Sequence, residues 1–170
     1  PAWDELATEE IDLVAAATRV LARDVTSDVN VPSFARSMMD GFALRAEETY
    51  GASAYNPLTL RIVGECLPGE AFAGRLSPGE AARIMTGAPL PAGADAVLQV
   101  EQTQVGGPDL LVQGQVPVGK HVGQIGEDIR AGEIVARAGR ALRPQDIGLL
   151  SSIGVGRVTV ILRPQVRILV

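Results

Sequence analysis

Three polar residues in glycine-containing loops are the strongest candidates for chemistry. Asp40 stands directly before a glycine, and Thr86 is followed by two small residues. A carboxylate before glycine can occupy a tight turn with its head group exposed, whereas a hydroxyl beside small residues offers backbone N–H groups to an oxyanion. Asp128 follows Glu127 and a glycine, and adjacent carboxylates can share a hard cation such as Mg²⁺. Only long-range folding can bring Asp40 and Asp128 to one cation.

Each of these clusters also has a purely structural interpretation. Asp40 could cap a turn or a helix entry, and the Thr86 loop could be a strand end stiffened by prolines. The Glu127–Asp128 pair could be a solvated loop. Glu101, at the end of an apolar run, could be a strand-end charge or a pocket wall. The residue types alone leave these alternatives open.

The single histidine and the single cysteine are weak candidates. His121 has no serine or carboxylate at a spacing that suggests a triad, which favours a surface loop residue. Cys66 has no basic neighbour to stabilise a thiolate, which favours a small buried hydrophobe. One cysteine and one histidine also exclude an internal disulfide, a cysteine-cluster metal site and a histidine-rich zinc site.

The composition is that of a folded chain with many turns. Of 170 residues, 46% are hydrophobic and 21% are charged, while 19 glycines and 11 prolines predict short strands and tight turns. The net charge of −5 disfavours broad electrostatic binding to nucleic acid or anionic lipid. No apolar run approaches the roughly 18 residues of a membrane-spanning helix. We therefore expect neither nucleic acid nor membrane as a partner.

The elements that must position the loops begin with a predicted helix over 9–24, with Thr8 as its N-cap. Its apolar residues recur at helical spacing: Leu13, Ala16, Ala17, Val20 and Leu21. A second helix is predicted to start at Pro144 and to stop at Gly154, and a strand is predicted over 157–162.

The middle of the chain is predicted to be rich in β-structure. Alternating apolar residues predict a strand over 58–63, and the segments 96–105 and 110–115 flank a four-residue hairpin loop. A short helix is predicted over 44–50, closed by Gly51.

These elements predict an α+β fold with two domains. Both chain ends, 1–30 and 131–164, form a small discontinuous α/β domain, into which a β-rich, barrel- or sandwich-like domain over 31–130 is inserted. The apolar segment 165–170 is interpreted as the start of a truncated third domain of a longer protein. The apolar stripe of the first helix predicts a two-fold interface through the α/β domain.

The motifs, taken together, resemble the molybdopterin molybdenumtransferases, the bacterial MoeA family that includes the E domain of gephyrin. The matching segments form five groups in the family's order: 19–25; 31–34 leading into 37–43; 83–91 with 93–97 and Glu101; 126–129; and 149–154. Five clusters in register make the resemblance specific. Three positions depart from the usual pattern: Thr18 replaces a glycine, Ala35 replaces an aspartate, and Gly123-Gln124-Ile125 stands where many relatives carry arginine.

The resemblance implies an enzyme that inserts molybdate into adenylylated molybdopterin in a Mg²⁺-dependent step and releases AMP. By motif match, Asp40, Thr86 and Asp128 fall on the functional positions of the second domain, with Asp40 and Asp128 as metal ligands. Because the pterin-binding third domain is not in this sequence, we expect the fragment itself to be inactive.

The resemblance further implies a cytoplasmic homodimer, with the molybdopterin adenylyltransferase as a candidate partner. In the family, the active cleft lies between the third domain of one subunit and the β-rich second domain of the other. A non-catalytic scaffolding module of the gephyrin type is the alternative. The presence of Asp40, Thr86 and Asp128 favours the enzyme.

Overall fold

The computed structural model describes residues 6–169, and strands dominate this range. The strands are, in chain order, β1 Thr8–Asp12, β2 Val25–Thr26, β3 Arg36–Ser37, β4 Gly41–Leu44, β5 Leu58–Cys66, β6 Glu80–Ile84, β7 Ala96–Gln99, β8 Thr103–Gly106, β9 Asp109–Val112, β10 Val122–Gly123, β11 Ile134–Ala136 and β12 Arg157–Ile161. The α-helix α1 spans Pro144–Ser152. Short 3₁₀ helices span Leu13–Ala16, Ala46–Thr49 and Val100–Gln102.

The described chain divides into two compact units. One, called here the terminal unit, consists of the described residues up to 31 and from 126 onward; the other, the inserted unit, consists of residues 32–125. The predicted inserted domain ended at residue 130, whereas the inserted unit ends at residue 125. Asp128 therefore falls in the terminal unit, whereas Asp40 and Thr86 fall in the inserted unit.

The terminal unit joins both ends of the chain through backbone pairing. β1 pairs antiparallel with β12, from Thr8 opposite Ile161 to Asp12 opposite Arg157, and β2 pairs antiparallel with β11. These ribbons and α1 enclose a core of buried side chains that includes Leu13, Ala16, Leu21, Leu142, Leu150, Val158 and Val160. Neither end buries this apolar surface without the other, because the core draws on both.

The predicted helix at Pro144 is confirmed, and an aspartate fixes its start. Asp146 accepts hydrogen bonds from the backbone N–H of Arg143 at 2.9 Å and from the guanidinium of Arg140 at 2.6 Å. The hydrogen bond from the Arg143 side chain outweighs burial and lowers the pKa of the Asp146 carboxyl. A buried charge at the first turn is thus fully partnered.

The predicted helix over 9–24 is wrong. Residues 8–12 form β1 because their backbone groups pair with β12, and only Leu13–Ala16 turn helically, as a 3₁₀ segment. Thr18 then has φ 67°, which no α-helix accommodates. Leu13, Ala16 and Leu21 are buried as the periodicity suggested, but Leu13 and Ala16 lie in the 3₁₀ segment and Leu21 forms a β-bridge to Val160. Nonlocal pairing has overridden a local pattern, and Thr8 begins a strand instead of capping a helix.

The inserted unit is built on a six-stranded sheet in the order β7-β4-β6-β5-β9-β8. Its neighbours are antiparallel except β5 and β6, which are parallel. Alternate residues of β4 enter two cores: Phe42 and Leu44 pack with Leu98 and Leu110, whereas Ala43 packs with a cluster containing Cys66. β3 and β10 form a separate ribbon within the same unit.

One prediction for the middle segment is confirmed, one is confirmed in part and one is corrected. The strand predicted over 58–63 is present and continues to Cys66. A hairpin joins β8 to β9 as predicted, but Gly106 pairs with Asp109, so its loop has two residues, 107 and 108, instead of four, and the segment 96–105 is divided into β7, a 3₁₀ segment and β8. The helix predicted over 44–50 is only the 3₁₀ segment Ala46–Thr49. Leu44 belongs to β4, where it pairs with Ala96. The 3₁₀ segment therefore cannot extend toward the N-terminus to include Leu44.

In the described part of the chain, α1 is the longest helix at 9 residues, and none has the length and apolarity needed to cross a membrane.

Gly41 is predicted to be a packing constraint at the start of β4. A β-carbon at this position would lie 2.0 Å from the carbonyl oxygen of Leu98. We expect Gly41→Ala to lower the free energy of unfolding by about 2–3 kcal/mol, because backbone must move to make room. The matched control is Gly148→Ala, in α1, where a β-carbon meets open space and the change should stabilise by about 0.5–1 kcal/mol. Urea denaturation of both variants checks the difference, and equal stabilities would contradict it.

Thr18 is predicted to hold backbone strain. It is exposed and β-branched, has φ 67°, and its N–H donates to the carbonyl of Leu142 at 2.8 Å. Thr18→Gly should raise the free energy of unfolding by about 1 kcal/mol, because glycine adopts this conformation without a steric penalty. His121→Gly is the control, because histidine tolerates its φ of 58° better and its half-buried ring would be lost. A melting temperature of Thr18→Gly below that of the parent protein would contradict the proposed strain at Thr18.

Candidate functional site

A serine turn directs the chain into the candidate site. The buried hydroxyl of Ser37 donates to the carbonyl of Met39 at 2.5 Å, and the N–H of Met39 approaches the same hydroxyl oxygen at 3.3 Å. β3 thereby ends in a tight turn, and β4 begins at Gly41. Asp40 is left at the exposed corner between the two strands.

The loop after β6 is bound to this turn by backbone hydrogen bonds. The N–H of Gly87 donates to the carbonyl of Ser37 at 2.8 Å, and the N–H of Ser37 donates to the carbonyl of Ala88 at 2.9 Å. Gly87 has φ 83°, a conformation that glycine adopts readily. The two loops therefore form one rigid corner of the inserted unit.

Asp40 and Thr86 meet directly at this corner. The Oδ1 atom of Asp40 accepts two hydrogen bonds from Thr86, one from its backbone N–H and one from its hydroxyl, each at 2.7 Å. Both residues are exposed to solvent. The backbone hydrogen bond, then the hydroxyl bond, and to a lesser degree the charge of Arg83, lower the pKa of the Asp40 carboxyl against a small opposing effect of desolvation. Asp40 is thus held as an oriented anion.

The backbone nest expected at Thr86 is absent. Its N–H is bonded to Asp40, the N–H of Gly87 to Ser37, and the N–H of Ala88 to the carbonyl of Met85 at 3.0 Å. The small residues let the loop pack against β3 instead of leaving donors open to an oxyanion. The prediction of free backbone donors was wrong, because sequence does not show which partner takes each N–H.

Two surface depressions flank the pair. One, of about 140 Å³, is lined by residues that include Asp40, Phe42, Arg83, Met85 and Val100. The other, of about 240 Å³, is lined by Arg36, Ser37, Met38, Thr86 and Gly87. We call the first the Asp40 depression. A small ligand could reach the pair from either side.

Asp128 belongs to a loop of the terminal unit. Its N–H donates to the carbonyl of Val31 at 3.0 Å, and its side chain is exposed. Gly126, two residues before, has φ 68° and starts the turn. The inserted unit therefore brings together two of the three predicted residues, and the third belongs to the other unit. A joint role for all three stays a prediction.

The described residues contain no ready-made cluster of metal-ligating side chains. No group of three His, Cys, Asp or Glu side chains within residues 6–169 is arranged to hold a metal ion. Both hydrogen bonds from Thr86 occupy Oδ1 of Asp40, which leaves Oδ2 to accept from another partner. Magnesium held by Asp40 would need oxygen atoms from water or a substrate. Its binding by Asp40 and Asp128 together stays a prediction.

The remaining candidates take structural positions. Glu101 lies exposed in the 3₁₀ segment Val100–Gln102. His121 is half-buried, its carbonyl accepts the N–H of Met38 at 2.9 Å, and burial with the charge of Lys120 lowers its pKa. Cys66 is buried as predicted, and burial raises its thiol pKa to about 11.

One residue of the site was missed. Arg83 lines the Asp40 depression, but within the matching segment 83–91 its residue type alone did not mark it as a site residue. The signal was available, because Arg83 is the exposed residue of an otherwise apolar run that leads into the Thr86 loop.

Comparison with known protein families identifies the family to which the chain belongs. The model of the MoeA N-terminal region, domains I and II, matches residues 2–154. The chain belongs to this family. A MoeA protein from Pyrococcus horikoshii OT3, a molybdopterin biosynthesis protein of known crystal structure, is 36% identical with a TM-score of 0.87, over 95% of this chain and 44% of that chain.

Curated MoeA relatives are similar over nearly the whole chain. The molybdopterin molybdenumtransferase 2 of Mycobacterium tuberculosis is 39% identical over 94% of the chain, and the molybdopterin molybdenumtransferase of Bacillus subtilis is 36% identical over 95% of it. The chain spans about two fifths of their length, 39% in both cases. The resemblance to MoeA proteins is thereby confirmed, and the activity of the whole protein remains a matter for proposal.

The Asp40–Thr86 contact predicts a specific titration behaviour. We expect the Asp40 carboxyl to titrate below the ordinary aspartate range. Thr86→Val should raise its pKa only part of the way back, because the backbone N–H, the larger cause, remains. Since folding lowers this pKa, its contribution to stability is present above the ordinary aspartate pKa and is lost as the pH falls through the lowered value. Carboxyl ¹³C NMR of the two proteins measures the shift.

Thr86→Ser is the matched control for this titration, because serine keeps both donors. Its Asp40 should titrate close to the parent value. Identical Asp40 titrations in Thr86→Val and Thr86→Ser would show that the hydroxyl does not bind the carboxylate in solution.

Proposed function

We propose that this chain provides domains I and II of a molybdopterin molybdenumtransferase. The full-length enzyme would insert molybdate into adenylylated molybdopterin and release AMP. Membership of the MoeA N-terminal family and the names of the curated relatives support a role in molybdenum cofactor biosynthesis. The proposed reaction rests on this kinship and on the corner formed by Asp40 and Thr86.

The observation that carries the proposal is the paired hydrogen bonding of Asp40. A long-range hydrogen bond alone does not set Asp40 apart, because Asp24 also accepts from a distant residue, Ala138. Asp40 differs because its Oδ1 accepts both donors of one residue, Thr86, and because it lines a depression large enough for a small group. This arrangement orients an ionised carboxylate toward a ligand.

The roles of the two residues follow from the geometry. Asp40 would present Oδ2 to donors or cations that accompany the substrate, with Oδ1 fixed. Thr86 is a positioning residue, because its two hydrogen bonds act on the carboxylate. Release of AMP breaks a phosphoanhydride bond and leaves negative charge on the departing phosphate oxygen. A carboxylate does not stabilise that charge directly, so Asp40 would act by holding in place a cation or donor that does.

The assembly and location of the enzyme are proposed on kinship alone. The apolar helix stripe expected to form a dimer interface does not exist, since Leu13, Ala16 and Leu21 are in the core of the terminal unit. We retain the homodimer, the cytoplasmic location and the adenylyltransferase partner as proposals from the family. The 170-residue chain by itself is proposed to be inactive, because it spans only 39% of its relatives.

Charge removal at Asp40 tests the proposal. Asp40→Asn in the full-length protein should lower the rate of molybdenum insertion at least about tenfold, because the amide keeps the shape but loses the charge. The melting temperature should change little, because the amide oxygen of asparagine can still accept both hydrogen bonds from Thr86. Parallel measurement of insertion rate and thermal unfolding separates a functional from a structural role.

Asp24→Asn is the matched control. Asp24 is also exposed and also accepts a backbone hydrogen bond, from the N–H of Ala138 at 2.7 Å, but it belongs to the terminal unit. Its insertion rate should equal that of the parent. Unaltered turnover in Asp40→Asn would show that Asp40 is only a turn residue. Absence of insertion activity in the full-length parent protein would contradict the proposed function itself.

A further inference from the structure

The lining of the Asp40 depression contains buried apolar residues and two charged residues. Phe42 and Ile84 are 2% and 1% exposed, and each belongs to a different core of the inserted unit. Asp40 and Arg83 are the charged ones. Its volume of about 140 Å³ is close to the roughly 150 Å³ that accommodates benzene in a protein cavity. The depression therefore suits one group of the size of a phosphate or a small ring.

The backbone around this depression has little to offer an anion. The three successive N–H groups of the Thr86 loop are already bonded within the protein, and the N–H of Val100 approaches the carbonyl of Asp40 at 3.3 Å. The Thr86 hydroxyl donates its proton to Asp40. An anion in the depression must therefore be held by a side chain, and Arg83 is the cation in its lining.

Arg83 is fixed at its backbone and weakly held at its head group. In β6 it lies opposite Phe42 of β4 and opposite Glu65 of β5, so its Cα is fixed within the sheet. Its guanidinium approaches the Glu65 carboxylate only at 3.8 Å, and both side chains are about half exposed. Such surface pairs contribute little, so a ligand can recruit the guanidinium at small cost.

We propose that Arg83 binds a tetrahedral oxyanion of the substrate in the Asp40 depression. This inference rests on the proposed function and extends it to a residue that binds the ligand. The planar guanidinium offers two parallel N–H donors that match two oxygens of a phosphate. The phosphate of the adenylylated substrate and molybdate share this oxyanion chemistry.

The neighbouring carboxylate of Asp40 should have the opposite effect on oxyanion binding to that of Arg83. Asp40 is an anion next to the same depression, so it repels a bare oxyanion while Arg83 attracts it. Loss of the Arg83 charge must weaken oxyanion binding, and loss of the Asp40 charge must strengthen it. A purely structural corner would show neither change.

The test is an NMR titration of the 170-residue chain with AMP, inorganic phosphate and molybdate in metal-free buffer. We expect the Nε–H signal of Arg83 and the amide signals of Gly41 and Met85 to shift on addition of an oxyanion. Arg83→Gln should weaken binding at least tenfold, Arg83→Lys should weaken it less, and Asp40→Asn should tighten it several-fold. Arg61→Gln, an exposed arginine of β5 outside the depression, is the control and should bind as the parent does.

The three probes distinguish the source of the oxyanion. Tighter binding of AMP than of phosphate and molybdate assigns the site to the nucleotide phosphate, and tighter binding of molybdate assigns it to the transferred metal oxyanion. Unchanged binding in Arg83→Gln, shifts that avoid the depression, or no binding of any probe would overturn the proposal.

An activity measurement separates this inference from the proposed function. In the full-length protein, Arg83→Gln should raise KM for the adenylylated substrate and lower kcat much less. The factor by which KM rises should be about ten times the factor by which kcat falls. If Asp40→Asn leaves turnover intact while Arg83→Gln still abolishes oxyanion binding, the role of Asp40 fails and the binding role of Arg83 stands. An unchanged KM with normal turnover overturns the Arg83 assignment alone.

Discussion

A single carboxylate oxygen organises the candidate site. Oδ1 of Asp40 receives both donors of Thr86, and this joins two loops that are 46 residues apart in the chain. Because the Thr86 N–H is bonded to Asp40 and its neighbours to Ser37 and Met85, the loop presents no backbone nest. An anion at this corner must therefore be bound by side chains and not by the backbone N–H groups of the Thr86 loop. The same bonds keep Asp40 ionised, so the corner combines a fixed negative charge with a weakly held positive charge on Arg83.

The terminal unit depends on a comparable long-range contact. The guanidinium of Arg19 donates to Glu9 at 2.5 Å and to the carbonyl of Ile161 at 2.8 Å, and its side chain is only 10% exposed. A cation this buried is stable only with its partners in place. Arg19 therefore connects β1, the segment after Thr18 and β12 through polar contacts as well as through the shared apolar core.

The sequence predicted what depends on local chemistry and missed what depends on distant partners. α1 was predictable because Pro144 and Gly154 mark its ends, and the strand from Leu58 was predictable from alternation. The helix over 9–24 was not, because its apolar spacing fits β1 plus a 3₁₀ turn equally well once β12 supplies the hydrogen bonds. At the site, Asp40 and Thr86 were found by residue type. Their mutual bond and the placement of Asp128 in the terminal unit required the folded chain.

The pairing of β1 with β12 has a consequence for synthesis on the ribosome. Asp12 lies opposite Arg157, so the first strand has no partner until 145 further residues have been added. At about 5–20 residues per second, that interval is roughly 7–30 seconds. During this time the complete inserted unit can emerge and fold around its own cores. The nascent N-terminal segment meanwhile exposes Leu13 and Leu21 and is a natural client for chaperones until the other half of its unit arrives.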